Sequence, residues 1–507
     1  MRLSYTNPPI GFANSVRKPP AVFSAFPLMK ELDVSGQFWL PDAIDVPLWG
    51  KLRYLPGQGV ALTLDGKITG TSASPGILEI PEIRGQLFNG APCVIENLHG
   101  YVETLWGPKK IFRSILRSEL GLLGLDYSVE PRAFTASTLT LSHLNDWFDQ
   151  PFSVDYSEKT DYADGVIRFR PDEPAVRAEF GGVPFELTVI CGRSIPVAAD
   201  SSGLEFTFTY KLVVRPDSAQ DLRWHLQVSA LTRQLFMLLI GSGIYTLDLG
   251  VEYADSPTGS EIRVLPRIGI PMVVRQDPVY FYTRHDQIRE SFPDIFFTWF
   301  QEADRLSVIR STLADLLTVD GTSAEAVFTR VVQTLEHFHG LIDSGDGRYV
   351  PKALWRRFTR WLRGEYPDCL PDATSEELRS LQAAKDALIG RIGGINSLSF
   401  RTRIRALFEA IPGKELMPIL RNPPDVSKYL DESILRIEAT RHYLTHFDPE
   451  QRELAFGHDE LETPTLECWS VLMFHLASLL GMSSEAAGDL ALAARDTMFL
   501  VGAELQL

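Results

Sequence analysis

The stretch Arg441-His442-Tyr443-Leu444-Thr445-His446 puts a guanidinium and two imidazoles within six residues. These side chains can handle a phosphodiester without a metal. RNA breaks when its own 2′-hydroxyl attacks the adjacent phosphorus. A histidine can take or return the proton near neutral pH, and a guanidinium can brace the phosphate oxygens through two parallel hydrogen bonds. An Arg-x4-His spacing alone arises by chance in a chain of 507 residues, so its weight rests on the element that carries it.

That element reads as a helix. Asp425 stands where an N-cap belongs, and the residue before Pro449 is pushed out of helical geometry, so the helix stops by Asp448. At about 100° per residue, Val426, Leu430, Ile434, Ile437 and Leu444 share one side, while Glu438, Arg441, His442, Thr445 and His446 fall in an adjoining sector. Glu438 with His442, and His442 with His446, are i,i+4 neighbours and can touch. A polar sector beside a core stripe is most often a solvated face. Yet Glu and Lys make better helices for that purpose than His, and this sector ends where side chains can project into a cleft. His442 and His446 also form a two-histidine clamp. It lacks the glutamate of H-E-x-x-H, and a third metal ligand would have to come from Glu438, His337 or His339. The expectation is a site without metal or other cofactor.

A second segment has its own chemistry. Lys352, Arg356, Arg357, Arg360 and Arg363 are interleaved with Trp355, Phe358 and Trp361, with no acidic residue among them. A helix here puts the aromatics near Leu362 on one face, ringed by cations. It reads either as a platform that stacks and neutralises single-stranded RNA or as an amphipathic bundle helix with its aromatics in the core.

The elements that must position these groups follow two grammars. Up to about residue 284 the chain is β-rich, with strands expected around 60–64, 92–96, 185–190 and 204–214 and turn signals such as Asp65-Gly66 and Asn89-Gly90 between them. Helices are expected at 141–148 and 221–239. From about 285 the apolar residues recur at three- and four-residue spacing, which predicts helices over 286–317, 323–338, 351–363, 375–391, 425–445, 465–480 and 483–502. Ser375 and Ser483 read as helix starts. The expected fold is α+β and multidomain: a sandwich- or barrel-like β-rich domain over 1–284, then an all-α bundle over 285–507.

Bulk properties narrow the class. A length of 507 residues implies more than one core. No apolar run approaches the ~18 residues of a membrane span, and prolines at 8, 9, 19 and 20 interrupt the place of a secretory core. Cys93, Cys191, Cys369 and Cys468 lie far apart, as in a reducing compartment, so a cytoplasmic protein is expected. The net charge of −16 argues against a general nucleic-acid coat protein but leaves room for one local basic patch.

The chain resembles the ApeA family of bacterial anti-phage proteins, which join a large β-rich N-terminal domain to a C-terminal HEPN domain. The resemblance is carried by Ser35-Gly36-Gln37-Phe38-Trp39-Leu40-Pro41, Gly50-Lys51-Leu52, Ile83-Arg84-Gly85, Leu141-x-x-Leu144-x-x-Trp147-Phe148 and the segment 235–241. Phe297-Thr298-Trp299-Phe300 and Leu335-Glu336-His337-Phe338-His339 follow in the helical half. Arg441 to His446 then falls where HEPN ribonucleases carry R-x4-6-H. The position after the arginine, often Asn there, is His442 here, which leaves its role open. The resemblance implies a metal-independent endoribonuclease acting on tRNA or mRNA after a phage-derived trigger, its site formed in a HEPN homodimer. It implies His446 as acid and base, Arg441 as phosphate holder, and His442 as an orienting or assisting group, with Glu438 and Thr445 in support. The β-rich half would sense or restrain. The alternative is a non-catalytic HEPN module that binds RNA or protein.

Overall fold

The structure is a computed structural model that describes residues 27–68, 71–74, 77–105, 111–126, 132–148, 152–156, 165–169, 175–194, 207–253, 261–268, 281–318, 322–342, 350, 352–364, 374–382, 385 and 398–497. It divides into two compact units: Met1–Arg233 with Gly243–Val274, and Gln234–Ser242 with Arg275–Leu507.

The first unit is built on strands β1 (Leu32–Trp39), β2 (Leu48–Leu55), β3 (Gly59–Leu64), β4 (Thr71–Ser74), β5 (Ile77–Leu87), β6 (Pro92–Leu105) and β7 (Ile111–Ser118). Six of these close on themselves in the order β6-β7-β3-β2-β1-β5 and back to β6, so the β-rich half contains a six-stranded antiparallel barrel. Alternation explains the closure: Val60, Leu62 and Leu64 on β3, with Phe38 on β1, Leu52 and Tyr54 on β2 and Leu116 on β7, are buried, while Ala61 and Thr63 are half-exposed. Gly36 pairs with Gly50 on one side and with Leu87 on the other, and Phe38 pairs with Gly85. A Cβ on Gly36 would lie 2.5 Å from the Gln86 carbonyl oxygen, and one on Gly85 would lie 2.5 Å from the Phe38 ring. Only glycine lets these strands approach so closely.

An extension grows from β6 through β8 (Leu120–Leu123), which pairs at Cys93–Glu96. The further strands are β9 (Phe134–Leu141), the separate pair β10 (Phe152–Tyr156) and β11 (Gly165–Phe169), β12 (Val176–Phe180), β13 (Val183–Ser194), β14 (Thr207–Pro216), β15 (Thr246–Tyr253) and β16 (Ile262–Pro266). From β8 the order runs β16-β15-β9-β14-β13-β12. The helix expected at 141–148 is shorter, Leu144–Trp147, because residue 141 still belongs to β9 and His143 turns the chain in a left-handed conformation. The helix Leu222–Ile240 starts at Asp221, whose carboxylate accepts the Trp224 amide at 2.8 Å. It is anchored on the extension. His225 meets Ser137 Oγ at 3.0 Å and the Phe134 carbonyl at 3.1 Å, and the Trp224 indole donates to the Phe180 carbonyl at 3.1 Å. Burial holds the His225 imidazole below its ordinary pKa.

The second unit is helical. Its centre is Glu462–Leu479, buried at every residue from Pro464 to Ala477, as a helix apolar around its circumference must be. Two polar groups inside it meet neighbouring helices: His475 Nε2 meets the Leu407 carbonyl at 2.7 Å, and Glu467 accepts the Tyr429 hydroxyl at 2.5 Å on Oε1, while among the described residues its buried Oε2 has no hydrogen-bond partner. Burial pushes the Glu467 carboxyl up to about 7. The single helix expected over 286–317 is three: His285–Ile288, Phe292–Gln301 and Ser307–Thr318. Pro293 cannot donate to a preceding turn and so opens a new helix. Ala324–Ile342, Lys352–Gly364, Val426–His446 and Ser484–Thr497 match expected helices. Residues 375–382 are helical, with Thr374 rather than Ser375 capping against the Glu377 amide at 3.3 Å. Apart from residue 385, which is helical, the rest of that expected helix to 391, residues 204–206 and residues 498–502 lie outside the described residues. Two helices were not expected, Phe400–Glu409 and Gly413–Ile419. Cys93 and Cys468 are buried free thiols, Cys191 is half-buried, and Cys369 lies outside the described residues. No described helix is long and apolar enough to cross a membrane.

Candidate active site

The motif helix, Val426–His446, starts where Asp425 Oδ1 accepts the Lys428 amide at 3.0 Å. Leu430, Ile434 and Ile437 bury its apolar stripe. Thr440 fixes the far end: its hydroxyl donates to the Arg436 carbonyl at 2.8 Å and accepts the Phe456 amide at 2.8 Å, tying the following loop back to the helix. Phe447 ends the helix in the left-handed region (φ 54°) and is 79% exposed.

Arg441 is half-buried, and its Nη2 meets Glu336 Oε2 at 2.9 Å. Glu336, on Ala324–Ile342, spends its other oxygen on Arg403 Nη1 at 3.0 Å. Arg403 in turn donates from Nε to the Leu398 carbonyl at 2.9 Å. The Phe400 ring lies under the Arg441 guanidinium, 5.0 Å from its carbon. One carboxylate and one ring from two other helices thus fix the plane of the motif guanidinium, while its buried Nε has no hydrogen-bond partner among the described residues.

The two histidines sit differently. His442 is half-buried and His446 exposed, with ring centroids 5.7 Å apart and planes 33° from parallel. Five residues of helix turn Arg441 and His446 about 140° apart and separate them by about 7.5 Å along the axis. Among the described residues, Glu438 forms its ion pair with Arg401 and none with His442. Thr445 is exposed beside His446. The helix therefore brings His442 to His446 and Arg441 to Glu336, but does not gather all five motif residues around one point. Nor do the described residues gather three His, Cys, Asp or Glu side chains that could hold a metal ion. His337 is exposed and His339 buried on Ala324–Ile342.

Lys352 opens the basic helix Lys352–Gly364. Trp355, Phe358 and Trp361 form a ladder with centroids 5.2 and 6.0 Å apart and planes near 30°. Leu362 is the buried residue, while Phe358 and Trp361 are 43% and 42% exposed. The aromatics are thus not core, as one reading had it, and Arg356, Arg357, Arg360 and Arg363 are exposed around them.

Sequence reasoning singled out Arg441 and His446 but missed Arg403 and Phe400, and it met Glu336 only as part of a helical signature. The pairing of Glu336 with Arg441 spans 105 residues, a separation at which spacing holds no information.

Two family models match the chain. One, described as ApeA N-terminal domain 1, covers residues 33–307, and the other, described as Apea-like HEPN, covers residues 330–486. The second match spans Glu336, Phe400, Arg403 and the whole motif helix. No curated protein and no solved structure matches.

Proposed function

The chain belongs to the ApeA family, joining an ApeA N-terminal domain to an Apea-like HEPN domain, and from that membership we propose that it is an anti-phage HEPN endoribonuclease. The observation that carries the reading is a half-buried guanidinium, held in plane by Glu336 and Phe400, on the same helix as an exposed imidazole at the R-x4-H position. His446 takes the proton of a 2′-hydroxyl as its oxygen attacks phosphorus. Arg441 braces the phosphate oxygens as charge builds on them. The bond from phosphorus to the 5′-oxygen breaks, and the leaving oxygen receives a proton. Products are a 2′,3′-cyclic phosphate and a 5′-hydroxyl. His442, whose ring lies tilted beside that of His446, orients or assists it, and Glu438 and Thr445 support the same stretch of helix. No metal takes part.

The divergence of Arg441 and His446 on one helix supports a homodimer, in which the arginine of one copy serves the histidine of the other. The 79%-exposed Phe447 ring at the motif's end supports the same conclusion, since its burial between copies would be favourable. Lys352, Arg356, Arg357, Arg360 and Arg363, with their aromatic ladder, hold the RNA strand. In this reading residues 1–284 sense infection or restrain the enzyme, residues 285–507 cut, and the protein works in the cytoplasm.

A second reading is a non-catalytic HEPN module, favoured by one observation: Arg441 is already committed to Glu336. Sequencing RNA 5′ ends during phage challenge separates the two. New 5′-hydroxyl ends with wild type and none with His446→Ala are expected. Identical end profiles, with protection retained in the variant, would refute the ribonuclease.

A further inference from the structure

The first unit contains a cavity of about 590 Å³, a size typical of small-molecule sites. One face of the helix Leu222–Ile240 lines it through Leu226, Ser229, Ala230 and Arg233, which recur at the i, i+3, i+4, i+7 spacing of a single stripe. Opposite this stripe stand Leu139 of β9 and Leu249 of β15. The helix stripe and these leucines give the cavity an apolar side, with Ser229 and Arg233 set into it, while Asn97, His99, Thr246 and Arg267 add polar groups elsewhere on the wall.

Among the described residues, neither Ser229 nor Arg233 has a protein partner for its donor groups. Ser229 is 6% exposed, and its buried hydroxyl has no hydrogen-bond partner, although a helical serine can ordinarily bond its own backbone. Arg233, one turn further on, is half-buried and among the described residues has no carboxylate beside it. Burial alone acts on its guanidinium, pulling its pKa below the ordinary arginine value. The carboxylates at the cavity's rim are already neutralised. Glu96 pairs with Arg132 at 3.0 Å, and Glu119 pairs with Arg267 at 3.0 Å. His225, one turn before Ser229, is locked to β9 by both ring nitrogens and fixes the stripe against the sheet. A folded protein rarely leaves a buried hydroxyl and a desolvated cation unpaired side by side, and each such group calls for an explanation.

We propose that this cavity is a binding site for a small organic anion, whose phosphate or carboxylate oxygens accept from Arg233 and Ser229 Oγ and whose flat or apolar body lies between Leu226, Leu139 and Leu249. The site stands independently of the ribonuclease reading, because it lies wholly in the other unit and involves no motif residue.

Fluorescence titration of the full chain with 1-naphthyl phosphate, 1-naphthoate and neutral 1-naphthol tests it. One anion or both should bind more tightly than naphthol, and the tighter of the two identifies the head group. Arg233→Met, which keeps the stem and removes the charge, should weaken the anions by about tenfold or more and leave naphthol unchanged. Ser229→Ala should weaken them by a smaller factor while preserving the fold. Naphthol binding as tightly as the anions, no binding of either anion at millimolar concentration, or unchanged anion affinity in both variants would overturn the proposal.

Discussion

Arg233 and Arg441 are both half-buried guanidiniums on long amphipathic helices, and they differ in what opposes them. Arg233 lines a 590 Å³ cavity and, among the described residues, has an unpartnered serine hydroxyl beside it and no acid paired with it. Arg441 has Glu336 at 2.9 Å and a phenyl ring beneath it. A desolvated cation left open is a demand for a ligand, whereas one already paired is held in a chosen orientation. The acids divide the same way: half-buried Glu336 has two guanidiniums within 3.0 Å, whereas buried Glu467, among the described residues, hydrogen-bonds to a neutral tyrosine hydroxyl and forms no ion pair.

The contrast can be broken at several points. The largest effect is expected at the motif. His446→Ala should lower RNA cleavage by roughly 10²–10⁴-fold, the usual worth of a general acid–base. Arg441→Ala should produce a comparable loss in the same assay without altering the circular dichroism spectrum. If Arg441 serves only to hold Glu336, cleavage will survive its removal.

Next comes Glu467. Below about pH 4.5 the folded and unfolded chains both hold this proton, so burial adds no penalty. Between about 4.5 and 7 the unfolded chain releases its proton first, and stability falls as pH rises; above 7 the full penalty stands. Glu467→Gln should therefore be more stable than wild type at pH 8, by on the order of 2 kcal/mol, with the gain gone at pH 4.5. Urea unfolding at the two pH values measures it, and an equal gain at both would contradict the assignment.

Glu336→Gln should cost less, about 1–2 kcal/mol, because the carboxylate and the two guanidiniums it joins are still partly solvated. It leaves two guanidiniums facing each other, so the loss should exceed that of Arg403→Ala made alone. The smallest effect is expected at Arg233. Without ligand, Arg233→Met should leave the melting temperature unchanged or raise it slightly, since no ion pair is lost. A clear drop on thermal unfolding would mean that the guanidinium has a structural partner after all.

Much of the architecture was legible because its signals are local. Strand-forming residues between turn signals exposed β3 and β13, and the 3.6-residue period exposed the motif helix together with its Asp425 cap. The glycines at 36, 50 and 85, read only as signature residues, turn out to lie where barrel strands come within 2.5 Å of a Cβ. Phe400–Glu409 escaped notice for a physical reason. Arg401, Arg403 and Arg405 alternate with period two and mimic a strand, although Phe400, Ile404, Leu407 and Phe408 are buried at helical spacing. The cavity and the Glu336 cluster were not legible, since each forms only when segments a hundred residues apart are packed together.

The shared carboxylate of Glu336 has one more consequence. An anion that draws Arg441 away does not strand an acid inside the protein, because Arg403 remains at 3.0 Å as its counter-ion. Arg441 can thus exchange one negative partner for another at little electrostatic cost, and its resting contact works less as a lock than as a placeholder.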